Sequence, residues 1–174
     1  MTPIEETALP ASLRTILVVE DNDINREMLC SLLEDDFEVM QAKDGREGIE
    51  LLKRHYDILS LVLLDVYMPE CDGFDFLRFR QTDDRYSNVP VIVTTVSDSL
   101  DDEIECLKLG SNDFVVKPYD VEIILNRIRN TIKLRETASI VNQLTWDSIT
   151  NLYREEFFFH RVEELLETYP DRSF

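Results

Sequence analysis

The chain has 174 residues, of which 44% are apolar and 31% are charged, a balance typical of a globular protein that folds in water. It carries 36 acidic and 18 basic residues, and the net charge of −18 argues against binding to nucleic acid or to an anionic membrane surface. Three widely spaced cysteines, no signal-peptide pattern and no apolar run long enough to span a bilayer lead us to expect a cytoplasmic protein.

After a polar leader at 1–13, short apolar runs alternate with helical patterns. The runs predict five strands, at 16–19, 37–40, 58–64, 91–96 and 114–116. Helices are predicted at 24–33, from 44, at 74–80, at 98–109 and from 119 past 134. Five strand–helix repeats predict an α/β fold, a doubly wound parallel sheet with the third strand central. The first helix is expected to bury one apolar face, made of Ile24, Met28, Leu29, Leu32 and Leu33.

Polar side chains follow four of these strands, at the edge where such sheets bind ligands. The acids Glu20 and Asp21 follow the first strand, and Asp65 follows the third. Thr95 lies near the end of the fourth strand and Lys117 follows the fifth. Converging carboxylates repel one another, and a hard cation such as Mg²⁺ would relieve that repulsion. With a lysine and a hydroxyl nearby, the pattern indicates phosphoryl transfer onto a carboxylate.

Four segments, in this order, resemble the receiver domains of two-component signalling: ILVVEDNDINR, LLDVYMPECDG, PVIVTTVSD and DFVVKPYD. The resemblance covers about residues 14–133 and implies a flavodoxin-like fold. It implies that Asp65 takes a phosphoryl group from a sensor histidine kinase or a phosphotransfer protein. It also implies that Mg²⁺ is the cofactor, held by Glu20, Asp21, Asp65 and the backbone carbonyl of Tyr67.

The same resemblance implies how the site switches. Thr95 would move toward the phosphoryl group, Phe114 would be a rotating aromatic residue, and Lys117 would pair with the phosphoryl group ahead of a cis peptide to Pro118. Thr94 competes with Thr95 for its role, and the spacing from Pro90 favours Thr95.

Other readings of these residues stay open. Glu20 and Asp21 could instead cap the first helix, and Phe114 could be an ordinary core residue. Val96 replaces the small residue usual after the switch threonine, and Tyr67 could shield an aspartyl phosphate from water. Both departures bear on the lifetime of the phosphorylated state.

Residues 134–174 lie outside the receiver resemblance. Residues 134–146 are expected to form a helical linker, because neither Gly nor Pro occurs from Tyr119 to Thr145. The segment DSITNLYR from Asp147, with phenylalanines following, resembles the opening of GGDEF domains, which make cyclic di-GMP. Asn151 stands where that opening usually has Gly. Residues 147–174 would then be the truncated start of such a domain, without its catalytic signature; the alternative is an amphipathic helix that ends the protein.

These observations predict a phosphorylation-activated response regulator that switches its own dimerisation or a C-terminal output domain, in cyclic di-GMP signalling. The acidic helix at 98–109 and the basic residues of the last receiver helix favour a homodimer on phosphorylation. Asp113 and Arg127 occupy positions that pair across such dimers in relatives. The alternatives are a stand-alone regulator and a phosphorylation-independent receiver that acts as a protein-interaction module.

Overall fold

The computed structural model describes residues 14–96, 99–118 and 120–145. The elements in chain order are β1 (Thr15–Val19), α1 (Asp23–Leu33), β2 (Glu38–Ala42), α2 (Gly45–His55), β3 (Leu59–Asp65), α3 (Gly73–Arg80), α4 (Asp84–Ser87), β4 (Val91–Thr95), α5 (Leu100–Lys108), β5 (Asp113–Val116) and α6 (Val121–Thr145). The predicted leader and the GGDEF-like segment lie outside these residues. The chain divides after Ile132 into two units: the first holds the sheet, and α6 continues in the second to Thr145.

The five strands form one parallel sheet in the order β2-β1-β3-β4-β5. This order confirms the doubly wound fold predicted from the sequence, with β3 in the centre. Every residue of β1 and β4 is buried, because helices cover both faces of a parallel sheet.

Alternate strand residues enter two separate apolar layers. Leu17, Val62 and Val93 face the layer that contains residues of α2 and α3 and Cys106 of α5. Ile16, Leu63 and Ile92 face the opposite layer. The helical residues of that second layer are Leu29, Cys30, Leu33, Ile124, Ile128 and Ile132. The sheet therefore lies between α1 with α6 on one side and α2, α3 and α5 on the other.

The predicted buried face of α1 is wrong at two positions. Leu29 and Leu33 are buried, but Ile24 is 77% and Met28 52% exposed, and Cys30 is buried in their place. The buried residues all lie in the second half of α1. Periodicity alone assigns a core face to the whole helix, whereas only the second half packs on the sheet.

Helix α4 was not predicted from the sequence, and a buried arginine donates hydrogen bonds to the backbone at its C-terminal end. Helix α4 has four residues, too few for an apolar period, and Asp83 caps its start. Arg80, at the end of α3, is buried and donates hydrogen bonds to the carbonyl oxygens of Ser87, Val89 and Gly110 at 2.5, 2.8 and 2.9 Å. Its guanidinium thus joins the α4 segment and the end of α5 to α3. Within the described residues, no helix is both long and apolar enough to cross a membrane.

Candidate functional site

Three carboxylates meet at the carboxyl ends of β1 and β3. Glu20 and Asp21 follow β1, and Asp65 is the last residue of β3, the neighbouring strand. One carboxylate oxygen from each of the three lies within 4.8 Å of the other two. Glu20 is 1% exposed and Asp65 is 7% exposed. The structure therefore brings together the three acids selected from the sequence, two of them in nearly water-free surroundings.

The ammonium group of Lys117 bridges two of these acids. Its Nζ lies 2.7 Å from Oε2 of Glu20 and 3.2 Å from Oδ2 of Asp65. Burial raises the pKa of Asp65 to about 6; Lys117 opposes the rise, and the charges of Glu20 and Asp21 add to it. The site therefore concentrates negative charge that a single lysine only partly offsets.

Helix α1 fixes the orientation of Glu20. The side chain of Asn25 donates a hydrogen bond to Oε1 of Glu20 at 3.2 Å, and Arg26 donates one to its carbonyl oxygen at 2.8 Å. The side chain that caps α1 is Asn22, which accepts from the backbone N–H of Asn25 at 3.0 Å. The capping alternative for Glu20 and Asp21 is therefore not what the structure shows. The sequence reasoning missed Asn25, whose only signal is its place in the first turn of the helix after Glu20.

The arrangement fits a hard divalent cation. Mg²⁺ prefers oxygen ligands and tolerates a site with one or two carboxylates and several waters. Glu20, Asp21 and Asp65 supply carboxylate oxygens close enough together to share one ion. Tyr67 lies two residues beyond Asp65 in the loop between β3 and α3. The family resemblance implied its backbone carbonyl as a further ligand.

Thr94 and Thr95 occupy different positions at the end of β4. Thr94 pairs in register with Asp65, and its hydroxyl oxygen lies 3.5 Å from the carbonyl oxygen of Leu64. Thr95 extends one residue farther toward the site edge, is fully buried, and accepts a hydrogen bond at its carbonyl from the backbone N–H of Lys117 at 2.6 Å. Lys117 and Thr95 are thus fixed to each other through the backbone.

Phe114 and Pro118 lie on and after β5. Phe114 is half-buried, pairs in register with Val93 and packs against the apolar layer on the α2 and α3 side. A half-buried ring fits both the core and the switch interpretations. The peptide bond between Lys117 and Pro118 is cis, as the resemblance implied.

Two glycines lie in close contact with the loop that carries Tyr67. A Cβ added to Gly73 would lie 2.6 Å from the carbonyl oxygen of Asp65, and one added to Gly45 would lie 2.4 Å from the carbonyl oxygen of Cys71. Both distances are shorter than real Cβ contacts. The starts of α2 and α3 therefore approach this loop more closely than any other residue type would permit.

An open groove lies beside the acids. Its volume is about 370 Å³, and its walls are formed by Asn25, Met28, Val96, Lys117 and Pro118. Val96 is 72% exposed, so the groove presents apolar surface next to the charged groups.

A family model described as the response regulator receiver domain matches residues 16–129. The uncharacterized transcriptional regulatory protein YkoG of Bacillus subtilis is 37% identical over 138 residues, which cover 77% of this chain and 58% of YkoG. A solved structure titled putative two-component system response regulator/ggdef domain protein is 30% identical with a TM-score of 0.66, covering 74% of this chain and 52% of that one. A receiver domain structure from Clostridium thermocellum is 27% identical with a TM-score of 0.66, covering 72% and 99%. The chain spans little more than half of the first two relatives, and it belongs to the response regulator receiver family of two-component signalling.

Proposed function

We propose that Asp65 is the phosphoacceptor of this receiver. The observation that carries the proposal is the buried cluster of Glu20, Asp21 and Asp65, with Lys117 in contact with Asp65. A carboxylate oxygen of Asp65 attacks the phosphorus of a phosphohistidine. The new O–P bond forms as the P–N bond breaks, and the imidazole leaves with the electron pair of that bond and takes up a proton.

The neighbouring residues position the reacting groups. Glu20, Asp21, Asp65 and the carbonyl of Tyr67 would hold Mg²⁺, which when bound offsets negative charge on the transferring phosphoryl group. The 3.2 Å contact between Lys117 and Asp65 supports a role for the ammonium group in pairing with a phosphoryl oxygen attached there. Thr95 would donate a hydrogen bond from its hydroxyl to another phosphoryl oxygen.

The groove beside the site supports a protein as phosphodonor. Receiver domains interact with histidine kinases or phosphotransfer proteins. Ile24 and Met28 are one helical turn apart and largely exposed on α1, and Val96 is exposed beside the site. Apolar side chains next to a reactive carboxylate favour docking of a partner's apolar surface, so we propose that the donor contacts α1 and the residues around Val96 and Pro118.

Intact mass after incubation with acetyl phosphate tests the assignment. Wild type is expected to gain one phosphoryl group with Mg²⁺ and none with a chelator. Asp65→Asn should gain none. Asp57 is an exposed acid just before β3 begins, at the edge of the sheet opposite the site, and Asp57→Asn should label like wild type. Labelling of Asp65→Asn at the wild-type level would contradict the proposal, and absence of labelling in wild type would favour the phosphorylation-independent interaction module.

We further propose that phosphorylation promotes a homodimer through α5, β5 and α6. Leu100, Ile104 and Leu107 lie at helical spacing on α5 and are exposed, as is Val116 on β5. Arg127 pairs with Asp113 of its own copy at 2.6 Å, so the pairing expected across the dimer exists within one subunit. The exposed apolar residues of α5 and β5 therefore support the dimer proposal more strongly than the charged residues do. Light scattering with and without beryllofluoride tests it, and a monomer under both conditions would contradict it.

The output we propose is cyclic di-GMP signalling through a GGDEF domain that begins at residue 147. The DSITNLYR segment supports it, as does the likeness to a solved chain whose title names a ggdef domain. Sequencing the coding region beyond codon 174 tests this proposal. A frame that reaches GG[DE]EF supports it, and a stop codon there favours a stand-alone regulator.

A further inference from the structure

The side chain of Tyr67 connects the candidate site to α5. Tyr67 lies two residues beyond Asp65 and is 48% exposed. Its hydroxyl donates a hydrogen bond of 2.5 Å to Oδ2 of Asp102, 35 positions away in the sequence. A hydrogen bond to a carboxylate is charge-assisted and stronger than one between neutral groups. This bond therefore closes a direct link between the phosphoacceptor loop and the first turn of α5.

The two ends of α5 are held differently. Toward the C-terminal end, Cys106 is fully buried and Glu105 pairs with Arg78 of α3 at 3.0 Å. In the first turn, by contrast, Leu100 is 67% exposed and Asp101 is also exposed. The hydrogen bond from Tyr67 thus reaches the more weakly packed end of the helix, where one added contact changes the local stability most.

We propose that Tyr67 and Asp102 form a latch that is closed in the unphosphorylated receiver and opens on phosphorylation of Asp65. The inference rests on the proposed function, because phosphorylation of Asp65 is the reaction that releases α5. The loop from Asp65 to Gly73 carries both the phosphoacceptor and Tyr67. When that loop rearranges around the phosphoryl group, the hydroxyl leaves Asp102 and the first turn of α5 is freed. The closed latch therefore opposes phosphorylation, and the open one accompanies it.

Hydrogen exchange of peptides covering 100–105 tests the contact. Tyr67→Phe removes only the hydroxyl, Asp102→Ala removes the acceptor, and Asp101→Ala removes the same charge from the same helical turn. The loss of one such hydrogen bond should speed exchange there by about fivefold in both latch variants. Asp101→Ala should match wild type. The double variant should exchange no faster than either single variant, because both remove one interaction.

The rate of labelling with acetyl phosphate tests the coupling. Both latch variants should label about fivefold faster than wild type, in line with the exchange effect. Phosphorylated wild type should show the exchange of the latch variants. Equal labelling of wild type and both latch variants, additive effects in the double variant, or an equal effect of Asp101→Ala would each overturn the latch while leaving the proposed function intact. Absence of any labelling in wild type would instead overturn the proposed function and the coupling with it.

Discussion

An ion pair of the site and one at the surface have similar distances but lie in different surroundings. Lys117 lies 2.7 Å from Glu20, with side chains 12% and 1% exposed. Arg127 lies 2.6 Å from Asp113, with side chains 43% and 27% exposed. Water screens the second pair and hardly reaches the first. The comparison teaches that burial, more than geometry, decides how strongly this chain depends on a given charge.

Replacement of Lys117 should have the largest effect on stability. Lys117→Met leaves Glu20 and Asp65 buried without their cation, which should cost about 3 kcal/mol of unfolding free energy at pH 7 in the presence of a chelator. Lys53→Met is the matched control, because Lys53 pairs with Glu50 at 3.0 Å on the surface. Urea denaturation measures both variants. Equal losses would show that burial does not separate the two kinds of pair.

Neutralising Asp65 should have the opposite sign. Its pKa of about 6 in the folded protein exceeds the value of 3.8 for a free side chain. The stability contributed by the protonated Asp65 is therefore fully present below pH 3.8 and is lost as the pH rises through 6. With Mg²⁺ chelated, Asp65→Asn should be about 1–2 kcal/mol more stable than wild type at pH 8. The gain should shrink at pH 5, and a less stable variant at pH 8 would contradict the direction.

An exposed pair should matter less. Arg127→Gln removes the contacts with Asp113 and should lower the unfolding free energy by less than about 1 kcal/mol. Added salt should reduce even that difference, since exposed charges are screened. Denaturation of both proteins at low and high ionic strength measures it. A loss as large as that of Lys117→Met would mean that the surface pair is shielded from water.

The exposed apolar residues of α1 should affect stability least. Met28→Gln should change the unfolding free energy by no more than about 0.5 kcal/mol. Phosphoryl transfer from a phosphohistidine protein should nevertheless slow by about tenfold if Met28 anchors the donor. Labelling by acetyl phosphate should not change. Ile58→Gln is the control for both rates. It alters an exposed side chain just before β3 begins, at the edge of the sheet opposite the site.

The sequence predicted all five strands, and most readily β1, β3 and β4, because each of these three is a short and almost entirely buried apolar run. The strand ends were less accurate: β2 was expected at 37–40 and spans Glu38–Ala42. Phe37 is buried just before the strand begins, so its hydrophobicity reports the core and not the hydrogen-bonded ladder. Helix α4 was missed because four residues carry no period.

The acids of the site were predictable because each follows an apolar run at the same edge of the sheet. Their hydrogen-bond partners were not. Asn25 contacts Glu20 from the next helix, and Asp102 contacts Tyr67 across 35 positions. Such contacts depend on the three-dimensional course of the backbone and leave no periodic pattern. The exposure of Ile24 is a similar case, because apolar periodicity cannot show where a helix stops touching the sheet.

The close approach of Gly45 and Gly73 to the phosphoacceptor loop has a consequence for how this receiver tolerates change. Neither glycine has a side chain that could take part in chemistry. Yet a single methyl group at either position would clash with a backbone carbonyl oxygen, and only movement of the backbone could relieve that clash. In a saturation mutagenesis screen for folded protein, these two glycines should therefore tolerate fewer replacements than Asp65 itself, whose carboxylate the fold accommodates at a cost.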